Sequence, residues 1–258
     1  MKNWIIAPLD PFGAIVRPPD RGESIDGAVD AILDLISKYR LVVFRGFALL
    51  DGEAFPEFCQ GFGEAQEWDF GVINTLRCSP DAKNYLYTNR EVPFHWDGAF
   101  VGQIPSFIIF HCDAAPDPAS GGETLFSDTT LMLGCAPSEM RERWRAITIT
   151  YTTEKIVHYG GTFTSPLIGR DASECEVIRY AEPVADLNPV GLQIDGIDAS
   201  EYAPFLQDMH TRLNDKAVCY VHQWQDGDLV IADNHTLLHG RRAFNADTRR
   251  LIRRVNIL

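Results

Sequence analysis

The segment Phe94-His95-Trp96-Asp97-Gly98 sets a neutral nitrogen donor and an anionic oxygen donor two residues apart. In an extended strand, residues i and i+2 project to the same side, so His95 and Asp97 could grip one metal ion together. Taken alone, a His-x-Asp triplet is more often a hydrogen-bonded surface pair than a metal site. It needs a third ligand from elsewhere in the chain. A distant histidine would complete two imidazoles and one carboxylate on one face of an octahedron, the set that leaves positions open on Fe(II) for an organic chelate and O₂. His239 is the candidate, and His235 competes with it. His235 and His239 also have the i, i+4 spacing of a helical zinc pair, but the residues around them read as strand, which argues against that helix.

The arginines near the end of the chain bear on the same site. With a period of two, Arg250 and Arg254 share one face of a last strand while Arg249 and Arg253 point to the other. An arginine-rich strand end by itself reads as a solvated face. If the Arg250 face lines a barrel, however, two guanidinium groups point inward, and buried cations are costly without anions. A dianion such as 2-oxoglutarate, with a distal carboxylate suited to a bidentate fork, would supply one partner. Arg254 is then left over and would grip the acid group of a substrate. Glu91, four residues before His95, is either a second pocket residue or a solvated carboxylate at a strand end. Tyr87, Phe94 and Phe100 read as core more readily than as an aromatic cage.

These residues must be carried by elements that bring distant segments together. Residues 24–39 place apolar side chains at helical spacing, with Ser24 or Asp26 as N-cap. Leu41–Phe47 reads as a buried strand stopped by glycine, and a second helix is expected over Asp51–Phe62. From Tyr85 onward short strands dominate: Tyr85–Thr88, Phe94–Phe100, Phe107–Cys112 and Thr124–Ser127, a clustering that favours a sandwich or barrel. Residues 138–192 suggest a helix near Ser138–Ala146, then strands and a mobile flap. The closing segment reads as an antiparallel meander of Asp228–Ala232, Thr236–Arg241 and Arg250–Ile257, with turns at Asp233-Asn234 and Asn245–Thr248. The reading is one domain over 1–258, with N-terminal helices and strands over 1–84 and a β core over 85–258.

Composition narrows the functions available. The 258 residues are 45% hydrophobic and 23% charged, ordinary for a globular protein with a large core. A formal charge of −13 repels phosphate backbones and anionic membranes, so neither nucleic acid nor a membrane is expected as a partner. The apolar run near the N-terminus is too short for a signal peptide and no stretch approaches the length of a membrane span, so a cytoplasmic location is expected. The six cysteines show no metal or disulfide spacing and read as reduced thiols.

His95-Trp96-Asp97, Gly121-Gly122-Glu123-Thr124, Asp233-Asn234 leading into Leu238-His239-Gly240-Arg241, and Arg249-Arg250 together resemble the TauD/TfdA branch of the Fe(II)/2-oxoglutarate-dependent dioxygenases. Val43-Phe44-Arg45-Gly46 and Asn188-Pro189-Val190-Gly191 are similar too, so the resemblance covers nearly the whole chain. It implies a double-stranded β-helix, a mainly β jelly roll of cupin type with flanking helices. It implies His95, Asp97 and His239 as ligands of Fe(II), Thr124 and Arg250 as binders of the distal carboxylate of 2-oxoglutarate, and O₂ as co-substrate. The presence of Asp97 disfavours halogenation, because the related halogenases lack that carboxylate. The wording of Val92–Phe100 is most similar to the PvcB-like enzymes of isocyanide pathways. That implies desaturation, with or without decarboxylation, of an isocyanide derived from an aromatic amino acid. Hydroxylation of a small sulfonate or other organic acid is the alternative within the family. A zinc hydrolase, a non-redox cupin-like metal protein or a non-catalytic binding module are the alternatives outside it; Thr124 and Arg250 are explained by neither metal protein, and a binding module would normally have lost a ligand.

Overall fold

The computed structural model describes residues 3–100, 102–156, 159–171 and 173–258. In chain order its strands begin with β1 (Ile5–Pro8), β2 (Ala14–Arg17), β3 (Leu41–Phe44), β4 (Asn74–Leu76), β5 (Val92–His95) and β6 (Phe107–Ala114). They continue with β7 (Thr124–Asp128), β8 (Thr148–Ile156), β9 (Tyr159–Pro166), β10 (Ile168–Arg170), β11 (Glu176–Ile178) and β12 (Gly191–Asp195). The last four are β13 (Cys219–His222), β14 (Leu229–Asp233), β15 (Leu237–Arg241) and β16 (Leu251–Ile257). The helices are α1 (Val29–Tyr39), α2 (Ala54–Gln60), α3 (Thr129–Cys135), α4 (Ser138–Arg145) and α5 (Tyr202–Leu213).

Seven strands form one sheet in the order β1-β2-β3-β14-β6-β16-β4, and four form a second in the order β13-β7-β15-β5. Side chains from both meet in one core: Phe110, Val230 and Ile252 from the large sheet pack with Phe126 and Leu237 from the small one. This is the expected jelly roll with flanking helices. Leu41–Phe44 shows why its strands read as unbroken apolar runs. Leu41 and Val43 face the inter-sheet core, whereas Val42 and Phe44 face outward and are covered by Ile32 and Ile36 of α1 and Phe55 and Phe58 of α2. Each such side chain contributes about 1.5–3 kcal/mol by leaving water. The outer face of the small sheet is covered in turn by α3 to α5 and the β12-β8-β9 sheet, around Trp144, Tyr151 and Met209.

Several expectations are corrected. The closing segment is not a meander: β14 and β16 lie on either side of β6 in the large sheet, and β15 lies between β7 and β5 in the small one. Turns at the ends of successive strands therefore carry the chain from sheet to sheet, which local periodicity does not reveal. Tyr85–Tyr87 is a 3-10 turn rather than a strand. The strand expected over Phe94–Phe100 ends at His95, and residues 97–100 form a turn. Helix α1 starts at Val29, with no side-chain cap; Ser24 and Asp26 instead hydrogen-bond each other upstream of it. Helix α2 is shorter than Asp51–Phe62. The region 138–192 forms α4 as expected, then the hairpins β8–β9 and β10–β11; residues 157, 158 and 172 lie outside the described residues. Strands β1 to β4, from the first 84 residues, belong to the large sheet. All six cysteines are free. Among the described residues no helix is long and apolar enough to cross a membrane.

Candidate active site

Sheet register delivers the two histidines. His95 at the end of β5 and His239 in β15 are cross-strand partners, and their ring centroids stand 4.3 Å apart. Asp97 reaches them from the turn just beyond β5. Its amide donates to Asn234 Oδ1 (3.0 Å), and its carbonyl accepts from Asn234 Nδ2 (2.9 Å). The same Nδ2 also donates to Pro105 O (2.9 Å), so one buried amide locks the turn on both sides. The adjacent Gly98 has φ +111°, and a Cβ there would lie 2.5 Å from Gln103 O, so only glycine fits. Donor atoms of His95, Asp97 and His239 all lie within 4.8 Å of one another.

The protonation states suit a metal. His95 Nδ1 is 2.8 Å from Pro93 O; a carbonyl only accepts, so Nδ1 carries the proton and Nε2 presents a lone pair. His239 Nε2 is buried with no hydrogen-bond partner, an orphan that a bound cation would satisfy. Burial pulls both imidazoles below the ordinary histidine pKa, and for His239 the neighbouring His95 adds to the effect. Both are therefore neutral ligands at pH 7. Burial works to raise Asp97, but Arg254, the two imidazoles and Asn256 outweigh it, and its pKa falls below the usual carboxylate value. Arg254 Nη1 (3.0 Å) and Asn256 Nδ2 (3.1 Å) both engage Asp97 Oδ2. Oδ1, 3.7 Å from His95 Nε2, is left facing the histidines. The residues fit a divalent iron.

A narrow pocket continues from the triad between the two sheets, lined by Thr124, Arg250, Phe110, His239 and Arg254. Thr124 and Arg250 are almost fully buried. Arg250 Nε donates to Gly122 O (3.1 Å). Gly122 has φ +85°, and a Cβ on it would come 3.2 Å from Arg250 Cδ, so the Gly-Gly motif makes room for the guanidinium. Arg250 has no carboxylate within 4 Å among the described residues. Burial, and secondarily Arg241, lower its pKa to about 9, so it remains a cation at pH 7 and is stabilised by any anion that enters the pocket.

The alternation of the arginines holds with one change. Arg249 is exposed, whereas Arg253 on the face opposite Arg254 is buried and paired with Asp113 (2.7 Å). The expectation that Arg254 lacks an anion is corrected, because Asp97 is its partner. His235 sits away from the triad against Arg179 (3.2 Å), which leaves His239 as the triad's second histidine. Glu91 is exposed and does not line the cavity. The carboxylate that does is Glu182, which accepts from the Phe94 amide (2.8 Å) and stands 2.7 Å from His210 Nδ1. Beyond the triad the cavity holds about 200 Å³, with Trp68, Tyr85, Trp96 and Phe100 in its walls. Lys83, at its exposed rim, makes no ion pair within 4 Å among the described residues. Glu182, Asn256 and Lys83 carry no spacing that would have singled them out in sequence, whereas Asn234 belongs to the Asp233-Asn234 motif of the resemblance, which gave it no role.

Residues 6–256 match the family model described as "Taurine catabolism dioxygenase TauD, TfdA family". A 3-((Z)-2-isocyanoethenyl)-1H-indole synthase from Fischerella ambigua is 39% identical over 99% of this chain and 96% of its own length. A tyrosine isonitrile desaturase from Pseudomonas aeruginosa is 34% identical over 95% of this chain and 87% of its own. Among solved structures, PvcB, described as an Fe, alpha-ketoglutarate dependent oxygenase from an isonitrile synthetic pathway, superposes with a TM-score of 0.81. It is 31% identical and the match covers 98% of this chain and 91% of PvcB.

Proposed function

The chain belongs to the TauD/TfdA family of Fe(II)- and 2-oxoglutarate-dependent dioxygenases, and from that premise we propose that it desaturates a small isocyanide carboxylate derived from an aromatic amino acid. His95 Nε2, Asp97 Oδ1 and His239 Nε2 would hold the iron. Thr124 and Arg250 would take the far carboxylate of 2-oxoglutarate. When bound, iron with 2-oxoglutarate and O₂ supplies a two-electron oxidation: the substrate loses two hydrogens, or one hydrogen and its carboxylate, as 2-oxoglutarate becomes succinate and CO₂ and water is released.

The observation that carries the substrate reading is the cavity itself. Its aromatic walls suit a planar aryl group better than an aminoalkyl sulfonate. With Arg254 committed to Asp97, Lys83 is, among the described residues lining the cavity, the cation available to meet an acid at the rim. Glu182 places an acceptor in the same cavity, where a ring hydroxyl or indole N–H could donate to it. Asn234 holds the Asp97 backbone, and Arg254 and Asn256 hold its carboxylate, while a substrate packs beside it, and the buried wall excludes water. A cytoplasmic location, with neither nucleic acid nor membrane as a partner, is part of the same proposal; free cysteines are compatible with it.

The test is anaerobic reconstitution with Fe(II) and 2-oxoglutarate, followed by O₂ and one of three candidates: 2-isocyano-3-(4-hydroxyphenyl)propanoate, its indol-3-yl counterpart, or 2-aminoethanesulfonate. An alkenyl isocyanide formed in step with succinate supports the reading. Turnover of the sulfonate alone overturns it.

A further inference from the structure

Thr124 has a single proton to offer a carboxylate, and a threonine hydroxyl can turn it in several directions. The structure shows what fixes it. Trp224 Nε1 donates to Thr124 Oγ1 at 3.0 Å, and both residues are buried. An indole N–H is a donor only, so it occupies a lone pair on Oγ1 and excludes the hydroxyl proton from that side. The proton is left to point elsewhere, and Thr124 lines the narrow pocket that also holds Arg250.

Trp224 is itself held from behind. It lies on the segment joining β13 to β14, closed by Asp228, whose Oδ2 accepts from the Gln225 amide at 2.9 Å. Arg45 bonds both oxygens of Asp228 (2.7 and 2.6 Å) and donates to Gln223 O (3.0 Å). His222 stands edge-on to the Trp224 ring at 4.4 Å, with Nε2 3.2 Å from Asp228 Oδ2. Asp228 and His222 are both fully buried. The indole meets Phe110 in a T-shaped contact at 6.2 Å, and Phe110 also lines the Arg250 pocket.

We propose that Trp224 is a positioning residue for co-substrate binding: its N–H orients the Thr124 hydroxyl so that it donates, beside Arg250, to the distal carboxylate of 2-oxoglutarate. This rests on the assignment of Thr124 and Arg250 to that carboxylate. Both are tested by calorimetric titration of the Mn(II)-loaded enzyme with N-oxalylglycine, which carries the distal carboxylate, and with oxalate, which chelates without it. Thr124→Val and Trp224→Phe are each expected to weaken N-oxalylglycine by about tenfold, the loss of one hydrogen bond to a charged group, and to leave oxalate unchanged. The double variant should be no weaker than Thr124→Val, because the two act through one bond. Benzothienylalanine at position 224, which keeps the ring shape and replaces N–H by sulfur, should reproduce Trp224→Phe and removes the concern that a smaller ring disturbs folding. Unchanged N-oxalylglycine affinity in both position-224 variants, an equal loss for oxalate, or losses that add in the double variant overturn the role of Trp224. An unaffected Thr124→Val overturns the carboxylate assignment and the proposal with it.

Discussion

Asn234, just beyond β14, makes three hydrogen bonds to the backbone around Asp97 and Pro105. Asn234→Ala would leave a buried amide and two carbonyls unpaired, at about 1–3 kcal/mol each where water cannot reach them. Because the lost bonds orient a metal ligand, we expect Fe(II) or Mn(II) affinity to fall by about 10–100-fold, read by calorimetric titration; wild-type affinity in a folded variant would refute the clamp. Lys83 is a second case at this scale. As a rim cation with no ion pair among the described residues, it should matter only to an acidic substrate. Lys83→Met is expected to raise KM for an isocyanide carboxylate by several-fold to tenfold and to leave its methyl ester untouched. Equal effects on acid and ester would assign the rim charge no part in recognition. His95 and Asp97 stood out in sequence by type and spacing, and Arg250 by its place on a strand face, whereas the choice of His239 over His235 and any role for Thr124 came from the family resemblance. The pairings made by Arg254, Asn256 and Trp224 were not legible, because each bond joins residues about a hundred or more positions apart. Local periodicity holds no record of such pairs.

At the scale of elements, the register of β15 does much of the assembly. One strand sets His239 opposite His95, and two residues on it directs Arg241 into a buried position. There the guanidinium donates to the carbonyls of Leu86 (2.9 Å), Thr88 (2.7 Å) and Arg90 (2.7 Å). Those carbonyls belong to the 3-10 turn and its exit, which supply Tyr85 and Leu86 to the substrate cavity. Arg241 thus joins the Asn84 cap and the Tyr85 N–H bond to Leu187 O in holding Tyr85–Thr88 as a turn, although its residues read as strand. Burial lowers the Arg241 pKa to about 10, so the charge persists and all three carbonyls stay engaged. Arg241→Met should loosen residues 85–90. We expect faster amide hydrogen exchange confined to that segment and a raised KM for substrate, with metal affinity retained. Exchange unchanged over 85–90 would mean that the other contacts hold the turn. The meander expectation failed for a related reason. Strand patterns in β14, β15 and β16 were correct, but which sheet each joins is decided by core packing across the sandwich rather than by sequence neighbours.

Over the whole molecule, protonation couples the site to stability. Outside the metal triad, His111, His222 and His235 all have pKa values below the ordinary histidine value, with burial the largest cause in each. A group whose folded pKa is depressed takes up its proton on unfolding, so its stabilising contribution is complete above the unfolded value of about 6.5 and is lost as pH falls below it. Asp113 and Asp228 are also held low; burial opposes this, but the hydrogen bonds of Arg253 and His111 to Asp113, and of His222 and Arg45 to Asp228, outweigh it. Their contribution persists above about pH 4 and is lost only below that. The formal charge of −13 works in the other direction, since acid relieves self-repulsion. Between pH 7.5 and 5, however, most carboxylates remain ionised and histidines are the groups that titrate, so their sign governs. Metal-free protein is therefore expected to lose stability in two stages, first between about pH 7 and 5 and again below about pH 4. Each kcal/mol lost lowers Tm by about 2–4 °C in a chain of this size, so Tm should fall over the first stage. Scanning calorimetry across that range checks it. A flat or rising Tm from pH 7.5 to 5 would show that charge relief outweighs the buried imidazoles, and His222→Gln, which removes one of the titrating groups, should make the first stage shallower.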